Sequence, residues 1–189
     1  MNKRYEMRFA GSGGQGVILA SVILAEAAVQ AGLNAVQSQA YGPEARGGVS
    51  KAETILSRDV IWYSKVKKPN FLLALNQKSA DHYAKDLAPD AVVMLDDSLR
   101  VPEALDSARV IAVPILHTAK EKVGKAFTAN IVAVGAINAA LRLFTEEELL
   151  EGVRLHIPAG TEEINRRALA EGAALITPAQ AAAFAQELR

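Results

Sequence analysis

The sequence predicts a three-layer α/β fold with a mixed, mostly parallel sheet and a helical C-terminal third. Three observations point to it. A short strand pattern near the N-terminus runs into a glycine-rich turn and then an apolar helix pattern. Short apolar runs then alternate with helical patterns through the middle of the chain, and two capping boxes open helices near its end. With 189 residues, 50% hydrophobic and 22% charged, a sizeable core can form, and a single domain over residues 1–189 is the simplest account.

Tyr5 to Ala10 reads as the first strand and ends in Gly11-Ser-Gly-Gly-Gln-Gly16. An apolar helix pattern follows from Gln15 to about Ala31; Gly32 and Asn34 stop it, and Ala35 to Gln39 returns as a strand. Tyr41-Gly-Pro-Glu-Ala-Arg-Gly-Gly48 has three glycines and a proline in eight residues and reads as loop. Two extended runs come next, Val49 to Ser57 and Val60 to Val66, with Arg58-Asp59 as an expected hairpin turn. These connections are shorter than the dozen or so residues a parallel crossover needs, so at least one strand must run antiparallel.

After Pro69 the alternation resumes. Phe71 to Leu75 reads as a buried strand, Gln77 to Leu87 as a helix, and Ala91 to Leu95 and Val110 to Val113 as strands. Phe127 to Leu143 is a small-residue helix suited to close packing, with Asn138 and Arg142 arguing against a membrane span. Thr145 with Glu148 forms a capping box, Glu162 to Glu171 is a further helix ending near Gly172, and Thr177-Pro178-Ala179-Gln180 opens the last one.

Composition narrows the function classes. Lys plus Arg equals Asp plus Glu at 21 each, which argues against a nucleic-acid protein and favours association. With no cysteine, the chain can hold neither a thiolate zinc site nor a cysteine-ligated cluster. His82, His117 and His156 stand singly, and His82 and His117 read as packed or solvated side chains rather than bases. Lys3 and Arg4 precede the apolar run Val17 to Ala25, but Glu6, the glycine cluster and Glu26 interrupt that signal-peptide pattern. A soluble, cytoplasmic protein without a membrane partner is expected.

Gly11-x-Gly13-x-x-Gly16 between a strand and a helix matches the phosphate-binding turn of Rossmann-like folds. It serves either to bind a phosphate or carboxylate at the helix N-terminus or as a structural tight turn. The second strand ends Gln37-Ser38-Gln39, without the carboxylate that would take a dinucleotide ribose, so NAD is discounted.

Taken with Ser38-Gln-Ala-Tyr-Gly-Pro-Glu-Ala-Arg-Gly-Gly48, the glycine turn resembles the gamma subunit of 2-oxoacid:ferredoxin oxidoreductases, closest to the 2-oxoglutarate type. Leu75-Asn-Gln77 and Asn130 extend the resemblance over nearly the whole chain. It implies an accessory subunit of an enzyme that decarboxylates a 2-oxoacid oxidatively, giving acyl-CoA, carbon dioxide and reduced ferredoxin. By the same resemblance, this chain holds no cofactor alone, and thiamine diphosphate, magnesium and iron–sulfur clusters belong to the thiamine-binding and ferredoxin-like partner subunits, through which ferredoxin is reached. The chain would help form the coenzyme A or substrate channel. A nucleotide- or acyl-CoA-binding module without a catalytic role is the alternative, as are the indolepyruvate and pyruvate members of the same family.

The candidate binding residues are Gly11, Gly13, Gly14, Gln15 and Gly16 in the turn, Tyr41, Gly42, Glu44, Arg46 and Gly47 in the loop, and Asn76 and Asn130 at helix starts; no residue is a candidate for catalysis. Arg46 offers a planar donor fork for an anion, or pairs with Glu44 or a neighbouring subunit. Asn76 and Asn130 can instead be simple helix caps. Trp62 and Tyr63 are expected to be exposed in the hairpin, as an interface to partners or to further copies of the isolated chain. Lys65, Lys67 and Lys68 read as a solvated edge or a docking patch for an acidic partner.

Replacing Arg46 by alanine in the assembled enzyme should raise the Michaelis constant for coenzyme A or the 2-oxoacid about tenfold or more, since a lost charge-assisted contact is worth about 1.5–3 kcal/mol. Steady-state kinetics beside gel filtration decides it: unchanged constants with a dissociated complex would move Arg46 from the ligand to the interface.

Overall fold

A computed structural model of the chain describes residues 4–39 and 49–185. The segment 40–48, with Tyr41, Gly42, Glu44, Arg46 and Gly47, lies outside the described residues. Six strands form one sheet: β1 (Arg4–Gly11), β2 (Asn34–Gln39), β3 (Ser50–Ser57), β4 (Phe71–Ala74), β5 (Val92–Asp96) and β6 (Val110–Val113). Their order is β2-β3-β1-β4-β5-β6. β1, β4, β5 and β6 run parallel, while β3 lies antiparallel between β1 and β2. The expected mixed, mostly parallel sheet is therefore present, and β3 is its reversed strand.

The expected hairpin is not. Val60 to Val66 forms no strand. Both edges of β3 are already bonded, to β1 on one side and β2 on the other, so the chain leaving Ser57 has no free edge to turn back upon. It runs instead as an irregular strap to Asn70, whose side chain and backbone both bond to Glu6.

Strand alternation divides the core in two. Tyr5, Met7, Phe9, Phe71, Leu73 and Met94 face the larger cluster, under α1 (Val17–Gln30), α4 (Ala129–Leu141), α5 (Glu146–Arg154) and α6 (Glu162–Ala173). Ala10, Leu72, Ala74, Val93 and Leu95 face a smaller cluster with α2 (Gln77–Tyr83). α2 stops four residues short of the expected Leu87. A short helix α3 (Ile115–His117) runs into a π-helical turn, Thr118–Val123, which the apolar pattern had not suggested. α7 (Pro178–Phe184) closes the described chain.

The small-residue reading of α4 holds. A Cβ on Gly172 of α6 would collide with the carbonyl oxygen of Val132, and one on Gly135 of α4 with that of Leu169. The two helices thus meet backbone to backbone. Gly152 of α5 stands similarly close to α1, where a Cβ would lie 2.9 Å from the Ile23 carbonyl oxygen. Both expected capping boxes form, at Thr145 with Glu148 and Thr177 with Gln180.

One ion pair is buried within the sheet. Arg8 Nε donates to Glu53 Oε1 at 2.8 Å, and the two residues stand directly opposite each other in the β1–β3 register. The guanidinium lies over the Tyr83 ring, 5.1 Å from its centroid, with Asp86 3.6 Å from Nη1. Lys51 Nζ approaches the same Glu53 oxygen at 3.7 Å.

Two outcomes follow from this packing. Gly172→Ala should destabilise the chain by about 1–3 kcal/mol, because helices in backbone contact must separate to admit a methyl group; Gly13→Ala, with open space around its Cβ, should change stability little. Urea unfolding of the two variants checks the contrast. Burial, with Asp90 adding to it, raises the Tyr5 phenol well above its ordinary value, so the native state keeps the proton that the unfolded chain releases above about pH 10. Stability from this group is complete below pH 10 and falls by up to about 1.4 kcal/mol per pH unit above it. Tyr5→Phe should flatten that alkaline loss in unfolding curves taken at pH 9 and pH 11.

Candidate functional site

The glycine turn leaves the C-terminal end of β1 and closes on itself. The Gln15 amide donates to the Ser12 carbonyl at 3.2 Å, with Gly14 at φ 88° inside the turn. The Gln15 side chain folds back beneath it. Its Oε1 accepts from the Ser12 amide at 2.6 Å, and its Nε2 donates to the Leu75 carbonyl at 2.9 Å, just past β4. A Cβ on Gly11 would lie 2.6 Å from Gln15 Oε1 and 2.9 Å from the Val17 side chain. Gly11 thus makes room for an internal strut, and both ends of Gln15 are engaged by the protein itself.

Gly16 is the N-cap of α1, in the left-handed region at φ 69°. It provides no side-chain cap, and the first turn of α1 carries no acidic residue. The positive end of the helix dipole is therefore not neutralised within its own first turn. Gly13 and Gly14 are exposed, and an added Cβ at either would meet nothing within 4 Å.

Asn76 does cap α2, as one reading of the sequence had it: Oδ1 accepts from the Ser79 amide at 2.7 Å. Its Nδ2 also donates to Ser12 Oγ at 2.8 Å, joining the end of β4 to the turn after β1. Asn130 is not a cap. The N-cap of α4 is Thr128, and Asn130 is buried in the first helical turn, where a Cβ on Gly16 would lie 2.7 Å from its Nδ2. Close packing between two helix starts, rather than capping, explains why asparagine and glycine meet there. The structure thus brings Gly11, Gln15, Gly16, Asn76 and Asn130 into one cluster, with Gly13 and Gly14 at its open edge.

Ser12 is the member that sequence reasoning missed. Its amide and hydroxyl are both accounted for within the cluster, but a serine in a glycine-rich turn carries no spacing signal that would single it out. The flanks of the segment 40–48 arrive at the same end of the sheet: Gln39 pairs with Ala52, and Ser50 stands opposite Gly11. Both therefore lie where β1 ends.

The cluster contains amides, hydroxyl and backbone groups, a set that can orient or bind an anion but cannot transfer protons near neutrality. Among the described residues no group of three His, Asp or Glu is arranged to hold a metal ion. His82 and His117 are exposed, His82 edge-on to Tyr83 at 4.6 Å between ring centroids. No helix among the described residues is long and apolar enough to cross a membrane.

Residues 6–175 match the family model described as pyruvate ferredoxin/flavodoxin oxidoreductase. The 2-oxoglutarate synthase subunit KorC of Methanothermobacter marburgensis is 38% identical over 94% of this chain and 99% of its own length. The ketoisovalerate oxidoreductase subunit VorA of Methanothermobacter thermautotrophicus is 37% identical over 88% of this chain, but over only 35% of its own length. The crystal structure of a keto/oxoacid ferredoxin oxidoreductase gamma subunit from Geobacter sulfurreducens superposes with a TM-score of 0.79 at 41% identity, covering 95% of this chain and 99% of that one. The chain belongs to the pyruvate ferredoxin/flavodoxin oxidoreductase family and is a gamma-type oxidoreductase subunit.

Proposed function

We propose that this chain is an accessory subunit of a 2-oxoacid:ferredoxin oxidoreductase, and that its glycine-turn end borders the coenzyme A and substrate channel of the assembled enzyme. The observation that carries the reading is the open edge of the turn. Gly11 and Gly16 are accounted for by contacts inside the chain, whereas Gly13 is exposed with free space around it, ahead of a helix N-terminus that no side chain caps. The coenzyme A phosphates fit such a donor set, because backbone amides at a helix start favour anions. The absence of cysteine supports placing the iron–sulfur clusters on partner subunits, with thiamine diphosphate and magnesium on another of them.

In this reading residues 1–189 form one domain, supported by the single sheet and by the family match over 6–175. Gly13 and Gly14 face the ligand or the partner, and Tyr41, Gly42, Glu44, Arg46 and Gly47 are the further binding residues of the proposal. Gly11, Gln15, Gly16, Asn76 and Asn130 hold the turn in shape. The substrate class is a 2-oxoacid. The similarity to a 2-oxoglutarate synthase subunit over almost all of both chains favours 2-oxoglutarate, and a ketoisovalerate relative of nearly equal identity makes branched 2-oxoacids the comparison to run.

The test is to purify the chain with the subunits encoded beside it and to assay coenzyme A-dependent reduction of ferredoxin by each 2-oxoacid. The complex should turn over and the isolated chain should not; turnover by the chain alone, or the lack of any complex, would refute the reading. Gly13→Leu should leave melting of the isolated chain unchanged while raising the Michaelis constant for coenzyme A about tenfold or more in the complex, a shift of 1.4 kcal/mol or above. Unchanged kinetics in that variant would leave the turn a purely structural element.

A further inference from the structure

At the end of the sheet opposite the glycine turn, the strap between β3 and β4 shows apolar surface that the fold does not explain. Ser57 pairs with Arg4 and with Asn34, so the strap starts where β1 begins rather than where it ends. Trp62 is 91% exposed, Val60 61% and Tyr63 49%. Yet the strap is anchored. Arg4 Nη2 donates to the Tyr63 carbonyl at 3.0 Å, Lys67 Nζ lies 5.2 Å from the Tyr63 ring centroid, and Val66 and Pro69 are buried. A tryptophan held outward on an anchored segment forgoes the burial that favours large aromatics in folded chains, and such residues are the ones that dominate protein interfaces.

We propose that this strap docks the chain to another subunit of the oxidoreductase, with Trp62 entering an apolar pocket whose rim is acidic. The inference rests on the subunit reading above. Charge selects the occupant. Between residues 58 and 68 the chain carries four basic residues, Arg58, Lys65, Lys67 and Lys68, against one acidic residue, Asp59, although the whole chain has 21 of each sign. The three lysines are all exposed. A second copy related by a two-fold axis would bring this cluster against itself, whereas an acidic rim complements it. The two ends of the sheet then have separate tasks: the strap fixes the chain in the complex, and the glycine turn stays available to the channel.

The experiment measures the affinity of the purified chain for the reconstituted remainder of the complex. Trp62→Ala should raise the dissociation constant about thirtyfold or more, the scale of an interface anchor. Lys65→Glu, Lys67→Glu and Lys68→Glu together should weaken binding and reverse its salt dependence, since a repulsive contact is relieved by screening. Both variants should melt as the unmodified chain does, because every altered side chain is exposed. An unchanged dissociation constant for Trp62→Ala would overturn the proposal. So would a variant that keeps its affinity for the other subunits but turns a self-associated chain into a monomer, since the occupant is then a second copy. Failure of the unmodified chain to bind those subunits at all would overturn the subunit reading, and this proposal with it.

Discussion

The antiparallel seam between β1 and β3 determines how the rest of the molecule is laid out. Arg8 and Glu53 face each other across it and bond at 2.8 Å. A slip of one residue would turn every inward side chain of β3 outward and part Arg8 from Glu53, leaving the buried guanidinium only the exposed Asp86 at 3.6 Å. Such a pair adds little net stability, because desolvating two ions offsets their attraction; its effect is to make the other registers far worse. With β3 held there, β2 becomes the outer strand. The two flanks of the 40–48 segment meet the end of β1, and the chain after Ser57 is expelled at the other end. The placement of both the glycine turn and the strap follows from one register.

The helical layers explain why the turn itself holds its shape. On the larger face, Gly135 and Gly172 let α4 and α6 meet backbone to backbone, which sets α4 and therefore places Asn130 against Gly16. From β4, Leu75 and Asn76 reach the turn through Gln15 and Ser12. The glycine turn is thus held from two directions, by a helix start and by a strand end. It enters any encounter with an anion or partner already ordered, so little conformational entropy remains to be lost on binding.

Where local chemistry governs, the fold was legible in the sequence. The strand–turn–helix opening, both capping boxes and the close-packed character of α4 depend on residues near each other in the chain. The failures share a different cause. Val60 to Val66 has the composition of a strand, and nothing local reveals that both edges of β3 are occupied by β1 and β2. Asn130 has the composition of a cap, and its role is set by a glycine more than a hundred positions earlier. At the site, the glycines were legible as a motif, but their division into internal and open members was not. Gly11 is required by Gln15 and Gly16 by Asn130, contacts visible only once strand and helix ends are brought together.

The energetics of the turn bear on why this fold serves as part of a larger enzyme. A helix N-terminus contributes roughly 0.3–1 kcal/mol to an exposed anion and at most about 2 kcal/mol in partly buried geometry. Even millimolar affinity requires about 4 kcal/mol. The described part of the cluster adds neutral amides and one hydroxyl, and no cation that would supply the remainder. If Arg46 bound the same anion, a charge-assisted contact of about 1.5–3 kcal/mol would narrow the gap without closing it comfortably. Burial of the anion between this chain and a neighbour would close it, because the same donors act more strongly where water is excluded. As an anion site the turn would be preformed but weak, which would suit a chain that completes a channel after docking better than one that captures coenzyme A alone.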